Sequence, residues 1–168
     1  VAVIVRRLPS PWDLGPYTTY VLWAVTADGR ANNLGSLELR NGRGRLDAST
    51  PLSSFALIVT AEPYFAVTAP SRAVVLRNLG KRIYGDRVAI AGLTTRMDYA
   101  GLEKRPVNPK SREPIDLIQA RYAVDVARAA NAQEFAASEF SKSEEMLAAA
   151  ETAQASRKSR ERRTSPRL

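Results

Sequence analysis

Residues 17–37, YTTYVLWAVTADGRANNLGSL, contain a strand, a turn and a returning strand in one continuous stretch. The strand, residues 18–26, is rich in β-branched and aromatic residues and is apolar on both faces: Tyr20, Leu22 and Ala24 alternate with Val21, Trp23 and Val25. A strand that is apolar on both faces lies inside a sandwich or beneath a covering element. Asp28-Gly29 then supplies the dipeptide that tolerates positive φ in a tight turn. The stretch predicts a β-hairpin near the centre of the fold.

Evenly spaced strand patterns surround this hairpin. Residues 55–61 (FALIVTA) form a second strand that is apolar on both faces, which makes it the natural core neighbour of residues 18–26. Other strands are predicted at 1–5, 36–40, 45–49, 73–77 and 87–91, with proline or glycine turns between them. This spacing favours a β-sandwich over a sheet alternating with helices. The predicted structural core consists of Tyr20, Leu22, Trp23, Val25, Phe55, Leu57 and Val59.

The composition changes after residue 104. Residues 105–114 contain three prolines and predict a linker, and the chain from Ile115 to residue 165 has neither glycine nor proline. Apolar and small residues recur at helical spacing in two stripes: Leu117, Ala120, Val124 and Ala127, and then Ala136, Phe140, Ser143, Leu147, Ala150 and Gln154. The first helix is expected to end near Asn131, a residue that tolerates the left-handed conformation. Two such helices with a short connection predict an antiparallel hairpin.

These patterns predict an α+β protein: an antiparallel, Ig-like β-sandwich over residues 1–104, a linker over 105–114, and an antiparallel α-helical hairpin with a basic tail over 115–163. With 168 residues, 45% of them hydrophobic, the chain is long enough to bury a core. It begins at Val1 inside a strand-like run, so we expect a fragment or a mature form. The sequence has no run of about 18 apolar residues, so it predicts no membrane-spanning helix.

The sequence contains no cysteine and no histidine. Disulfides, thiolate or imidazole metal ligands, and catalytic triads built on a cysteine nucleophile or a histidine base are therefore excluded. Acidic residues occur throughout, but no spacing places two carboxylates across a cleft. We expect no cofactor and no catalytic residue.

Charge is distributed unevenly. Residues 1–110 hold 15 basic and 8 acidic residues, residues 111–156 hold 4 and 8, and residues 157–168 hold 6 and 1. The basic tail is suited to contacting phosphates in a salt-sensitive way, but it is more typical of a solvated helix end that frays over residues 156–163. We therefore expect no specific nucleic-acid partner.

Other candidate sites compete with structural explanations. Residues 41–44 (NGRG) resemble part of a phosphate-binding loop, although a hairpin turn accounts for them better. Asp28, Asn32 and Asn33 carry oxygen atoms that calcium can bind, but turn chemistry explains them. The alanines of the helices fit either a binding groove or packing between the helices. Six aromatic residues fit either a ligand groove or a core: Trp12, Tyr17, Tyr20, Trp23, Tyr64 and Phe65.

A family resemblance covers most of the chain. Residues 20–25 (YVLWAV), Asp28-Gly29 and residues 33–35 (NLG) resemble the C-terminal, extracytoplasmic sandwich of anti-sigma-K factors, and residues 55–63 (FALIVTAEP) resemble its later core strand. The chain as a whole resembles the N-terminal region of acidobacterial-type OmpA-like envelope proteins. In those proteins an alanine-rich helical segment follows the sandwich, as residues 114–150 do here.

The resemblance implies a non-enzymatic structural or binding module of the bacterial envelope, in the periplasm or at the outer membrane. It implies partners among other envelope proteins, or peptidoglycan through a C-terminal domain that no part of this sequence matches. It supplies no site residue. The first alternative is an extracytoplasmic sensory domain of anti-sigma-factor type. The second alternative, an enzyme that uses carboxylates, requires a deep cleft with two inward-facing acids.

Overall fold

The computed structural model describes residues 1–78, 92–105, 107 and 113–164, with side chains described up to residue 160. The chain divides into two compact units, Val1–Pro106 and Val107–Leu168. The boundary falls within the predicted linker at 105–114, most of which lies outside the described residues. The protein is α+β, and its described residues form two antiparallel sheets in the first unit and three α-helices in the second.

Among the described residues of the first unit, six strands form two sheets. In chain order they are β1 (Ala2–Arg6), β2 (Thr19–Val25), β3 (Ala31–Leu37), β4 (Arg43–Asp47), β5 (Ala56–Glu62) and β6 (Val74–Arg77). One sheet has four strands in the order β3-β2-β5-β6, and the other pairs β1 with β4. A 3-10 helix at Pro11–Asp13 lies in the connection between β1 and β2. The arrangement is sandwich-like, because side chains of both sheets meet in one core cluster.

The two strands predicted to be apolar on both faces lie side by side. β2 pairs with β5 in antiparallel register, with Leu22 opposite Val59, and all seven residues of β2 are buried. The predicted hairpin is also confirmed, because β2 pairs with β3 across a turn closed by hydrogen bonds from Gly29 N–H to Thr26 and from Thr26 N–H to Arg30. A bulge at residues 33–35 interrupts the register of this pair.

The core between the sheets uses one face of β2. Tyr20 and Leu22 pack there with residues of β1, β3 and β5: Val5, Leu37, Val59 and Ala61. Of the predicted core residues, Val25 and Trp23 are also buried, and Phe55 and Leu57 are half-buried. Because side chains alternate along a strand, Trp23 lies on the opposite face of the four-stranded sheet. Trp23 is therefore interior, but not between the two sheets.

One predicted strand differs from the structure. The strand expected at 36–40 is wrong in its bounds, because β3 ends at Leu37 and Arg40 makes only an isolated bridge to Arg43. The alternation of leucine with polar residues misled the prediction, since Leu39 packs against the core from outside a strand. The strand expected at 87–91 lies outside the described residues. The remaining predicted strands match β1, β4, β5 and β6 to within two residues.

The second unit contains α1 (Ile115–Ala129), α2 (Ala132–Phe135) and α3 (Ala137–Thr164). Asn131 has φ 57°, so the predicted left-handed end of the first helix is confirmed. The break at Ala136 between α2 and α3 was not predicted. α3 continues to Thr164, through residues 156–163, where fraying is expected.

The predicted helical stripes match the burial of the helices only in part. Leu117 and Val124 are buried as expected, but Gln119, predicted to be off the stripe, is buried too. In α3, Phe140 is buried, whereas Ser143 and Ala150 are exposed. Helical spacing locates repeating apolar residues, so it could not place a buried glutamine.

Candidate functional site

A buried polar cluster lies on the Trp23 face of the four-stranded sheet. The indole Nε1–H of Trp23 donates to Thr60 Oγ1 at 2.7 Å, and the Thr60 hydroxyl donates to Glu62 Oε1 at 2.5 Å. The backbone N–H of Ser71 donates to the same carboxylate oxygen at 2.7 Å. Trp23, Thr60, Glu62 and Ser71 are all 0% exposed. In the described part of the chain, the second carboxylate oxygen, Glu62 Oε2, is buried without a hydrogen-bond partner.

This environment changes the acidity of Glu62. Burial raises its pKa from an ordinary 4.5 to about 7, although the hydrogen bonds from Ser71 and Thr60 act in the opposite direction. Three tyrosines face the same charge: burial and the nearby Glu62 carboxylate raise the phenol pKa of Tyr17, Tyr64 and Tyr99. Glu62 is therefore an internal acid that exchanges its proton near neutral pH.

The cluster fixes the loop that follows β5. This loop, residues 63–70, is called the clasp loop below. Ser71 closes it on Glu62 and donates its own hydroxyl to the Ala61 carbonyl at 2.7 Å. Thr18 Oγ1 donates to the Pro63 carbonyl at 2.8 Å. The clasp loop is thus held at both ends by buried hydrogen bonds, and Glu62 is the acceptor at its closing end.

The carboxylate-enzyme alternative needs a second inward acid beside Glu62. Among the described acidic residues, Glu62 is the one whose side chain is buried. The nearby Asp98 has a half-exposed side chain and pairs with Arg72 at 3.1 Å. The described residues therefore place no second buried acid beside Glu62.

A basic surface lies on the outer face of the two-stranded sheet. Register places Arg6 opposite Arg43 and Ile4 opposite Arg45, with these side chains on the face away from the core. Ile4 is 59% exposed, and a shallow depression beside it is lined by Arg40, Arg43 and Arg45, together with Glu38. This surface, made of Ile4, Arg6, Arg40, Arg43 and Arg45, is called the ribbon face below. Its arginines are suited to contacting an anion.

A cavity of about 230 Å³ opens at the other end of the Trp23 face. Val25, Ala56 and Ile58 form its apolar floor, and Arg77 and Arg96 line it as well. Sequence reasoning assigned no role to these two arginines.

The six candidate aromatic residues do not form one groove. Tyr20 and Trp23 are fully buried on opposite faces of β2, and Tyr20 donates its hydroxyl to the Pro9 carbonyl at 3.1 Å. Trp12, Tyr17 and Tyr64 are half-buried, and Phe65 is 57% exposed on the clasp loop. Most of these side chains therefore serve the interior, as the structural explanation expected.

The loop candidates have structural roles. Asn41 (φ 52°) and Gly42 (φ 70°) turn the chain between Arg40 and Arg43, and β4 follows them, so the turn is confirmed. Asp28 contacts Thr26 and Arg30 within the hairpin turn. Asn33 lies in β3, where its side chain accepts from Gly35 N–H and donates to the Phe65 and Val67 carbonyls. Turn chemistry was therefore wrong for Asn33, which ties the bulge to the clasp loop.

Sequence reasoning missed Glu62, Thr60 and Ser71 as a group. One indication was available: β5 is apolar on both faces, so acidic and hydroxyl residues at its end had to be buried and to find partners. The approach of Ser71 depends on the path of the clasp loop, which no local pattern specifies.

Comparison of the chain with protein-family models, with curated proteins and with solved structures found no match. Within the described residues, no helix combines the length and apolarity needed to cross a membrane. The described acids also form no cluster of three or more that could hold a metal ion.

Proposed function

We propose that the protein is a non-enzymatic module of the bacterial cell envelope, periplasmic or outer-membrane-associated. In this proposal the sandwich docks on an anionic lipid surface through the ribbon face, and the helices act as a spacer. The family resemblance supports the location. The observation that supports docking is the exposed basic surface of the ribbon face.

The ribbon face combines charge with an apolar centre. Arg6, Arg40 and Arg43 make no side-chain ion pair with any described residue, whereas Arg45 is paired with Asp47 at 2.8 Å. A basic residue beside an anionic membrane surface gains about 1 kcal/mol. The exposed Ile4 adds apolar contact at the level of the headgroups. This combination favours a lipid surface over a purely polar polyanion.

The proposal takes the two sheets as an Ig-like sandwich and the helices as an antiparallel hairpin. Two ion pairs support the hairpin: Arg121 Nε lies 2.7 Å from Glu151 Oε1, and Arg128 Nη2 lies 2.7 Å from Glu144 Oε1. From the first pair to the second, the residue number rises from 121 to 128 in α1 and falls from 151 to 144 in α3, as in antiparallel packing. The Ig-like character rests on the face-to-face antiparallel sheets and on the resemblance.

Vesicle co-sedimentation of the full chain tests the docking role. Vesicles of phosphatidylcholine with phosphatidylglycerol are compared with vesicles of phosphatidylcholine alone, both at physiological salt. We expect binding to the anionic vesicles only, and we expect the double variant R6Q/R43Q to bind about thirtyfold more weakly, since two arginines are lost. The matched control is R30Q/R72Q, which has the same net charge and alters two exposed arginines that pair with acids outside the ribbon face.

Two results would contradict the proposal. Equal binding to both vesicle types would remove the electrostatic basis. An equal loss in R6Q/R43Q and R30Q/R72Q would show a general effect of net charge instead of a docking face.

The second candidate function is an extracytoplasmic sensory domain of anti-sigma-factor type. The cavity lined by Arg77 and Arg96 favours it, because a sensor needs a place for an effector. The upstream reading frame separates the two candidates. A lipoprotein or secretory signal supports the envelope module, and a transmembrane helix after a cytoplasmic sigma-binding domain supports the sensor.

A further inference from the structure

The cavity on the Trp23 face lies between the sheet and the segment of residues 92–99, called the crossing segment below. Thr94 N–H donates to the Gly29 carbonyl at 3.0 Å, at the hairpin turn. Met97 N–H donates to the Pro70 carbonyl at 2.9 Å, at the opposite end of the sheet. The crossing segment is therefore anchored at two points, and Leu93 lines the cavity between the segment and the floor.

The floor and walls of the cavity are mainly apolar. Val25, Ala56 and Ile58 share one face of the sheet by register, and Val74 and Leu93 add aliphatic surface. The volume of about 230 Å³ is below the range of about 300–1,000 Å³ typical of pockets for drug-sized ligands. The cavity thus fits a small molecule with an aliphatic body.

Two arginines provide the polar part of the lining. Neither Arg77 nor Arg96 makes an ion pair or a side-chain hydrogen bond with any described residue, and the described residues that line the cavity include no acid. Other exposed arginines, such as Arg30 and Arg72, pair with carboxylates. An unpaired guanidinium offers its planar donors to an incoming carboxylate.

The backbone positions of both arginines are fixed before any ligand arrives. Arg77 pairs with Ile58 in the sheet. The adjacent Asn78 makes two hydrogen bonds with Leu57: its N–H donates to the Leu57 carbonyl at 2.9 Å, and its Oδ1 accepts from the Leu57 N–H at 2.8 Å. Arg96 lies between the two anchors of the crossing segment. Such positioning reduces the ordering cost of binding.

We propose that this cavity binds a small aliphatic carboxylate, with the hydrocarbon chain on the Val25–Ala56–Ile58 floor and the carboxylate at Arg77 and Arg96. The site is separate from the ribbon face, and the proposal does not rest on membrane docking. It supplies the effector class that the sensory alternative would need.

Titration of the full chain with sodium octanoate, followed by amide NMR shifts, tests the site. We expect saturable shifts at residues 56–58, 77–78 and 92–96, with a dissociation constant of the order of 1 mM for a ligand of about ten heavy atoms. The neutral analogue 1-octanol should bind at least tenfold more weakly, since it lacks the charge-assisted hydrogen bonds. Octylammonium should not bind.

Three variants locate the site. R77Q and R96Q should each weaken octanoate binding about tenfold, and R72Q, whose arginine pairs with Asp98 outside the cavity, should leave it unchanged. A56L should block the site, because the longer side chain fills the floor. Unfolding midpoints close to that of the unchanged protein establish that each variant is folded.

Several outcomes would overturn the proposal. Equal binding of octanoate and octanol would eliminate carboxylate recognition. Shifts confined to the ribbon face, or no saturation by about 10 mM, would eliminate the cavity as a ligand site. If R77Q or R96Q fails to fold, retained octanoate affinity in the other arginine variant would count against the assignment.

Discussion

Trp23 donates its indole N–H to the hydroxyl of Thr60 across the β2–β5 pair, and both side chains are fully buried. The bond lies on the face of the four-stranded sheet that is turned away from the two-stranded sheet. The largest side chain of the central strand therefore fills a second interior and orients the Thr60 hydroxyl towards Glu62. Trp23 therefore contributes to both the packing and the hydrogen bonding of this face.

Replacing Trp23 separates these two contributions. Trp23→Ala should lower the free energy of unfolding by about 3–5 kcal/mol, because it leaves a large cavity. Trp23→Phe keeps most of the volume and removes the donor, so we expect a loss of about 1–2 kcal/mol. Urea denaturation measures both values. A loss below about 1 kcal/mol for Trp23→Ala would be too small for a fully buried tryptophan and would contradict its interior position.

Glu62 should make the stability of the protein depend on pH. Its pKa is about 7 in the folded chain and near the ordinary 4.5 when unfolded, so the folded state binds more protons between these values. The contribution of Glu62 to the free energy of unfolding should therefore be fully present below pH 4.5. It should fall by up to about 3 kcal/mol as the pH rises through 7.

Denaturant titrations between pH 4.5 and 8 measure this contribution. Glu62→Gln should remove most of the slope, and Glu38→Gln, at an exposed position directly after β3, should retain it. The carboxyls of Asp28 and Asp47 have pKa values lowered below 3.8 by their hydrogen bonds, so they titrate outside this window. A slope that persists in Glu62→Gln would assign the effect to other groups.

Gly29 should tolerate no side chain. Its φ is +85°, and a Cβ there would lie 2.0 Å from the Gly92 carbonyl oxygen. Gly29→Ala should therefore cost at least about 2 kcal/mol, from backbone strain and displacement of the crossing segment. Gly101→Ala is the control, because a Cβ at that position meets nothing within 4 Å. Thermal unfolding of the two variants compares the effects, and similar midpoints would refute the close approach.

The first unit should fold without the helices. Its sheets share their own core cluster, and the division between the compact units falls at Pro106. We expect a chain of residues 1–106 to unfold cooperatively, with a dispersed amide NMR spectrum. Non-cooperative thermal unfolding would instead show that the sheets depend on the second unit.

The sequence was informative where local pattern decides structure. β2 and β5 were predicted because apolar residues on both faces of a strand require burial, and the hairpin was predicted because Asp28-Gly29 suits its turn. The pairing of β1 with β4 and the closure of the clasp loop by Ser71 could not be predicted. Both depend on contacts between distant parts of the chain.

The candidate sites were less predictable than the fold. Arg77 and Arg96 are 19 positions apart and acquire a common role only because the crossing segment returns over the sheet. Of the two interpretations of the aromatic residues, the core role fits Tyr20 and Trp23, because strand alternation sends them to opposite faces and both are buried.

The Gly29 peptide has a consequence for how the chain folds. Its N–H bonds to Thr26 within the hairpin turn, whereas its carbonyl accepts from Thr94, 65 residues further along. Hairpins form in about 1–10 μs, but the second contact must first close a long loop. In pulsed hydrogen exchange the Gly29 amide should therefore become protected early and the Thr94 amide late, so that two neighbouring hydrogen bonds report the first and last stages of assembly.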